Sequence, residues 1–238
     1  MPRRDELPVI VLAAGRGIRL GDITREMPKC MLGVGGETII RRQVRQLGEV
    51  GLRDIHVVTG YRSDLVEGHL EGTDVRYVHN GLWSTTNNIY SLHLARDRAP
   101  DGFYLLNGDV ACDAGILRNF ASTSGTAMVI DDVKELGEEE MKVSIRDGRI
   151  MCIGKALDPR KAHGEYIGLM RFTGDESRML FDSIARFVSA GQMGVWYENA
   201  LEPILGDIIL RPVFTGGLDW IEVDTPEDNR RMNDMFSR

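Results

Sequence analysis

Apolar positions fall in short uninterrupted runs separated by stretches of helical spacing. Leu7–Ala13 (LPVIVLA) is one such run, the pattern of a strand buried on both faces. A loop rich in Gly and Arg follows. Ile39, Ile40, Val44, Leu47 and Val50 then recur at the spacing of a helix over Thr38–Val50. Asp54–Thr59 predicts a second strand, Ser63–Leu70 a helix and Val75–His79 a short strand. Asn88–Arg96 predicts a helix with Ile89 and Leu92 turned inward, and Phe103–Leu106 a strand that stops at Asn107-Gly108-Asp109. Alternation of this kind predicts βαβ units with right-handed crossovers, and so a mostly parallel sheet.

After about residue 125 the texture changes. Ala127–Ile130, Lys142–Ile145, Arg149–Ile153 and Tyr166–Phe172 predict strands, with Asp147-Gly148 as a hairpin turn between the second and third. Ser177–Ala190 and Glu198–Leu205 have helical spacing, and Ile208–Phe214 and Trp220–Val223 are strand-like. The last helix has a clear start, with Thr225 as N-cap and Pro226 at the first helical position. No repeat or linker interrupts the chain. One α/β domain over 1–238 is expected, its mixed sheet mostly parallel, with the strands after 125 extending the sheet over a cleft.

The 238 residues carry 29 Lys and Arg against 36 Asp and Glu, a net charge of −7. That balance argues against nucleic acid as a partner, because a phosphate backbone needs a basic face. Three widely spaced cysteines, at 30, 112 and 152, predict neither a disulfide framework nor a zinc site. The apolar run Val9–Ala14 is far short of the ~18 residues of a membrane span. A cytoplasmic protein with no membrane partner is expected.

Three segments carry candidate chemistry. In Leu12–Leu20 (LAAGRGIRL) a strand runs into Gly15-x-Gly17, where glycines let a backbone approach an anion. The dinucleotide fingerprint is not met, since Leu20 stands at its third glycine, and a generic turn is the competing reading. Arg19 and Lys29 add cations to the same loop. Asp109, just past a strand's carboxyl end, sits where open α/β sheets bind ligands and suits Mg²⁺; Gly108 beside it permits close approach. Helix capping is the alternative for Asp109, a role for which Asp113 is better placed. In Trp220–Thr225 the period-2 alternation puts Glu222 and Asp224 on one face, and two carboxylates there repel unless a cation joins them.

Together, LAAGRGIRL, Pro28–Leu32, Asn107-Gly108-Asp109 and WIEVDTPED at 220–228 resemble the nucleotidyltransferase superfamily that includes the sugar-phosphate nucleotidylyltransferases. His79–Leu92 (HNGLWSTTNNIYSL) is similar to the subgroup that uses CTP to activate small phosphorylated alcohols and phosphonates, such as the phosphocholine and 2-aminoethylphosphonate cytidylyltransferases. The resemblance implies a Rossmann-like nucleotidyltransferase fold, nucleotide bound by about 7–125 and acceptor by about 126–238. It implies that Leu12, Ala13, Ala14, Gly15, Arg16 and Gly17 hold the base and ribose side, and that Asn80, Asn87 and Asn88 contact nucleotide and acceptor. Arg19, Lys29 and Lys142 would meet the phosphates, and Asp109, Asp224 and Glu222 would hold Mg²⁺. Gly164–Gly168 would line the acceptor side. The implied reaction is transfer of CMP from CTP to a small phosphonate or phosphate, by a monomer or homodimer.

For the acceptor, the sequence leaves two readings open. Trp83, Tyr90, Tyr166, Trp196 and Tyr197 could cage a choline, and Lys155, Arg160 and Lys161 could meet extra negative charge. Two alternatives to the cytidylyltransferase also stand. One is a sugar-1-phosphate nucleotidylyltransferase using UTP, dTTP or GTP; the other is a regulatory nucleotide-binding domain without catalysis. His56 reads as a core histidine, and Cys30 as a small buried residue.

Overall fold

Every position of Val9–Ala13 is apolar, so the segment needs cover on both faces. In the computed structural model, which describes residues 7–237, it forms the first strand, β1. Two 3-10 turns, Ile18–Thr24 and Lys29–Met31, lead to a small ribbon of β2 (Gly33–Val34) and β3 (Glu37–Thr38). Then come α1 (Ile39–Glu49), β4 (Ile55–Thr59), α2 (Ser63–His69), β5 (Arg76–His79), α3 (Asn88–Leu94) and β6 (Gly102–Asn107). The chain continues through β7 (Val110–Cys112), α4 (Ala114–Ser122), β8 (Ala127–Asp131), β9 (Lys142–Arg146), β10 (Arg149–Gly154) and β11 (Gly164–Thr173). Helices α5 (Gly174–Ser189) and α6 (Glu198–Leu201), strands β12 (Arg211–Phe214) and β13 (Trp220–Glu222), and α7 (Pro226–Phe236) complete it.

The main sheet is mixed. Strands β5, β4, β1 and β6 lie side by side and parallel. β11 then runs antiparallel to β6, β8 and β9, with β12 beside β8 and β10 beside β9. Successive strands step from β1 to β4 and β5 in one direction, and the chain returns to place β6 on the other side of β1. That reversal opens a crevice at the carboxyl ends of β1 and β6, the usual ligand position in open α/β sheets. The long strand β11 widens it. It pairs with β9 at Gly164-Glu165 and with β6 from Leu169 onward, so Tyr166–Gly168 pair with neither.

Alternation along β1 divides the core. Ile10 packs with Ile89 and Leu92 of α3 and Leu180 and Ile184 of α5. Val9 and Val11 pack on the opposite face with Ile40 and Leu47 of α1 and Phe120 of α4. A third, smaller cluster joins Leu20 and Leu32 of the first loop to Ile221, Val223 and Met232. It ties the β13 segment, and the acids on its other face, to the loop that follows β1.

Several local expectations shift. β7 and α4 were not among the expected elements, although Asp113, expected as the better helix cap, does cap α4, its side chain accepting from the Gly115 amide. α6 stops at Leu201 and tightens into a 3-10 turn, because Pro203 has no N–H to donate. Ile208 and Leu210 are buried, yet β12 starts only at Arg211. The hairpin turn adopts positive φ at both Asp147 and Gly148. Thr225 and Asp228 form a reciprocal capping box at α7. Among the described residues no helix is long and apolar enough to cross a membrane.

Candidate active site

The loop after β1 turns sharply at Gly17, whose φ of 76 is left-handed. A Cβ there would meet the Lys29 side chain at 3.0 Å, so the glycine lets this loop close over the lysine stem. Lys29 is thereby buried, and its Nζ donates to Asp109 Oδ2 at 2.7 Å and to Asp224 Oδ1 at 2.5 Å. Arg19, largely exposed, approaches the other Asp224 oxygen at 2.6 Å. Asp109 follows β6 and is locked to the β13 segment by the Val223 amide, which donates to the Asp109 carbonyl at 3.0 Å. Glu222 and Asp224 share the face opposite Ile221 and Val223, so oxygens of Asp109, Glu222 and Asp224 all lie within 4.8 Å of one another.

Three acids this close raise one another's cost of ionising. Burial, then Asp109, pushes the Glu222 carboxyl well above its usual range. Burial pushes Asp224 the same way, but Lys29 and Arg19 outweigh it and hold that carboxyl below its usual range. Burial opposes the charge on Lys29, and Asp109, Asp224 and Glu222 outweigh it, leaving the ammonium firmly protonated. Asp109 Oδ1 is buried without a hydrogen-bond partner. Hard carboxylate oxygens converging around such an atom fit Mg²⁺, which takes oxygen donors. Cys30 next to Lys29 is buried, and burial lifts its thiol to about 12, so it is a packing residue.

An open cavity of about 1450 Å³ stands over this cluster, large enough for two substrates. Leu12, Ala14, Gly15, Arg16, Gly17 and Arg19 line it, together with Asp109, Glu222 and Asp224. Asn80, Trp83, Asn87 and Asn88 also contribute to the lining. Lys134, Glu140, Lys155, Glu165, Tyr166, Gly168, Trp196 and Glu198 line it as well.

Some expected contacts fall elsewhere. Lys142 does not reach the cavity: it is fully buried and donates to the carbonyls of Gly137, Glu138 and Glu140, so it pins the segment before β9. Lys134 occupies the cavity wall instead, bonded to Glu165 at 2.9 Å and Glu140 at 3.1 Å. Gly108 and Ala13 lie beneath the wall. The Gly108 amide donates to the Leu12 carbonyl, and a Cβ on Gly108 would stand 2.6 Å from that oxygen, so the close approach it permits is of strand to strand. Asn80 spends its amide on Thr86, Ser91 and the Leu82 N–H, fixing the loop that carries Trp83. Asn87 caps α3, and Asn88 accepts from the Tyr197 amide.

The aromatic candidates form no cage. Tyr166 and Tyr197 are buried, their hydroxyls 2.8 Å apart, and Tyr197 also donates to Asn107. Trp196 is exposed, with the Lys155 ammonium 5.2 Å from its ring centre. Arg160 is exposed and paired with Asp158, outside the cavity. Sequence reasoning missed Lys134, Asp131 and Glu198. Asp131 accepts from the Trp220 indole at 2.7 Å, a pairing across 89 residues with no local signal.

This geometry has relatives. A family model described as "MobA-like NTP transferase domain" matches residues 9–150, more than half of the chain. A "CMP-5'-(3-aminopropyl)phosphonate synthase" of Streptomyces rubellomurinus is 34% identical over 98% of this chain and 40% of its own length. A "Choline-phosphate cytidylyltransferase" of Streptococcus pneumoniae is 32% identical over 97% of this chain and 98% of its own. The chain spans half or less of the length of several relatives it matches. Among solved structures, a CTP:phosphocholine cytidylyltransferase from Streptococcus pneumoniae superposes with a TM-score of 0.85 at 22% identity, covering 96% of this chain and 98% of that one. Sequence match and shared architecture agree: the chain belongs to the MobA-like NTP transferase family.

Proposed function

We propose that the protein transfers CMP from CTP to a small phosphonate or phosphate, with release of pyrophosphate. One observation carries the reading. Asp109, Glu222 and Asp224 converge at the strand reversal, under a glycine-hinged loop that supplies Lys29 and Arg19. The names of the phosphonate- and choline-phosphate-using relatives support CTP and a phosphorus acid as the substrate pair.

In the proposed reaction an acceptor oxygen forms a bond to the α-phosphorus of CTP. The bond from that phosphorus to the bridging oxygen breaks in line, and its electron pair leaves with pyrophosphate. The acceptor is already ionised at neutral pH, so no general base is needed. The obstacle is repulsion between two anions. Asp109, Asp224 and Glu222 would hold Mg²⁺, whose charge offsets that repulsion. Arg19 is tethered only through an exposed ion pair and can turn toward a triphosphate, whereas buried Lys29 fixes the acids in place. The cavity-lining backbone of Ala14–Gly17 would take the nucleoside side, and the region around Tyr166 and Gly168 the acceptor.

Pyrophosphate release tests this directly. CTP, UTP, GTP, ATP and dTTP should be paired with aminoethylphosphonate, hydroxyethylphosphonate, phosphocholine, inositol phosphate and glucose 1-phosphate. CTP with a non-sugar acceptor is the expected pair. Turnover restricted to a sugar phosphate, or silence throughout, would defeat the proposal.

A further inference from the structure

Asn107 ends β6, between the strand that leads into the glycine loop and the long strand β11. It pairs with Leu12 of β1, and Leu106 before it pairs with Leu169 of β11. Its side chain is half-buried and lines the cavity, yet the reaction proposed above makes no use of it. An amide side chain can turn either its oxygen or its –NH₂ toward a neighbour, and here the neighbours decide. The Tyr197 hydroxyl stands 3.0 Å from Asn107 Oδ1, which only accepts, so Tyr197 spends its one proton there. The Tyr166 hydroxyl, 2.8 Å from that of Tyr197, must then donate to Tyr197. Both tyrosines are buried, so water does not compete for this relay.

Nδ2 is therefore turned away from the tyrosines, and it meets no acceptor among the described residues. Gly168 keeps it uncovered. A Cβ on Gly168 would stand 2.9 Å from Nδ2, and the φ of 86 at that position is one that glycine adopts without strain. Gly168 lines the same cavity, in the Tyr166–Gly168 stretch where β11 pairs with neither β6 nor β9. We propose that Asn107 donates through Nδ2 to a phosphoryl oxygen of the acceptor, and that Tyr197, backed by Tyr166, is the positioning residue that keeps the amide turned this way; that the oxygen belongs to the acceptor rests on the transferase reading above. An amide –NH₂ is a neutral double donor, and an anionic oxygen is its strongest partner. The lysines that line the cavity are engaged by acids of the chain, Lys134 by Glu140 and Glu165 and Lys155 by Glu139. Phosphonates and phosphate monoesters present the same oxygens whatever tail they carry, so this contact selects the phosphorus acid and not the tail.

The test measures calorimetric binding of methylphosphonate, 2-hydroxyethylphosphonate and phosphocholine in the presence of Mg²⁺ and α,β-methylene-CTP, binding of that CTP analogue alone, and turnover with CTP. Asn107→Ala should weaken all three phosphorus acids about tenfold and to the same degree, because it removes a hydrogen bond to the group they share. Affinity for the CTP analogue should hold, and in turnover the loss should appear in the acceptor KM and not in the KM for CTP. Tyr197→Phe frees the amide to turn, and should weaken the same acids a few-fold while sparing the CTP analogue. A loss that falls on the CTP analogue, a loss that depends on the acceptor's tail, or wild-type affinity in Asn107→Ala or Tyr197→Phe would overturn the assignment. So would weakening of every ligand together with a lowered melting temperature, the mark of a purely structural role. A wild type that binds none of the three acids defeats both this inference and the transferase reading. The predicted binding pattern without turnover on any acceptor defeats the transferase reading and leaves the contact standing; turnover unchanged in Asn107→Ala defeats this inference alone.

Discussion

Asp224 and Glu198 face the same cavity, and their charges are handled in opposite ways. Asp224 receives Lys29 and Arg19, and its carboxyl is held low in spite of burial. Glu198 has no ion pair among the described residues; burial lifts it to about 7, and its own amide, the Tyr197 hydroxyl and Lys155 only partly oppose that. The first acid is neutralised from within the chain, because the Gly17 turn folds the Lys29 stem beneath it. The second sits nearly buried at the start of α6 beside Tyr197. One acid is therefore governed by cations of the chain itself, and the other chiefly by burial.

The largest effects should come from breaking the cation-held cluster. Lys29→Met leaves Asp109 and Asp224 facing each other without their common cation. Pyrophosphate release should fall at least 10²-fold, and stability by about 3 kcal/mol. Activity assays with thermal melts check both; a variant with wild-type rate would show that Lys29 serves folding alone. Asp109→Asn and Asp224→Asn should each lower the rate about 10²-fold with little change in melting temperature. A loss confined to stability would point away from metal binding.

Glycines sharpen the comparison at smaller scale. Gly108→Ala puts a methyl 2.6 Å from the Leu12 carbonyl and should cost about 1–3 kcal/mol in a chemical melt. Gly15→Ala meets nothing within 4 Å, so stability should hold while nucleotide affinity drops. Equal destabilisation by the two would contradict the division between wall and foundation.

A pH response of comparable size is expected at Glu198. The folded-state pKa of Glu198 is raised from 4.5 to about 7, so the folded state holds the proton longer than the unfolded chain does. Stability from this group is present below pH 4.5 and is lost as pH rises toward about 7, at up to about 1.4 kcal/mol per unit. Glu198→Gln should flatten that limb of the melting profile. The least effect is expected from thiol reagents. Cys152 is exposed while Cys30 and Cys112 are buried, with thiols pushed up to about 12, so mild alkylation should label Cys152 alone and spare activity.

What the sequence made legible follows from range. The unbroken apolar run of β1, the alternation across Ile221–Asp224 and the Thr225-Pro226 start are local patterns, and local patterns determine strands, faces and caps. The convergence of Asp109 with Asp224 was inferable from an acid past the end of a buried strand, from two carboxylates on one face of Trp220–Thr225, and from the family resemblance of both segments. Lys142 and Lys134 show the limit. Both precede or open a strand in the same polar stretch, and only the path of 134–141 decides which ammonium faces carbonyls and which faces the cavity. Glu198 was hidden for a related reason. An acid at the start of a helical pattern is ordinarily solvated, and its burial depends on Tyr166 and Tyr197, brought together from β11 and the turn before α6. α4 was missed because its nine residues carry a short amphipathic pattern with no strong start beyond Asp113.

The central claim is that acids from two distant segments share one divalent ion. Mn²⁺ titration followed by electron paramagnetic resonance, with CTP present, tests it most directly. The account predicts a single tight site in the wild type that weakens at least tenfold in both Asp109→Asn and Asp224→Asn. Folded variants that each bind Mn²⁺ as the wild type does would contradict it.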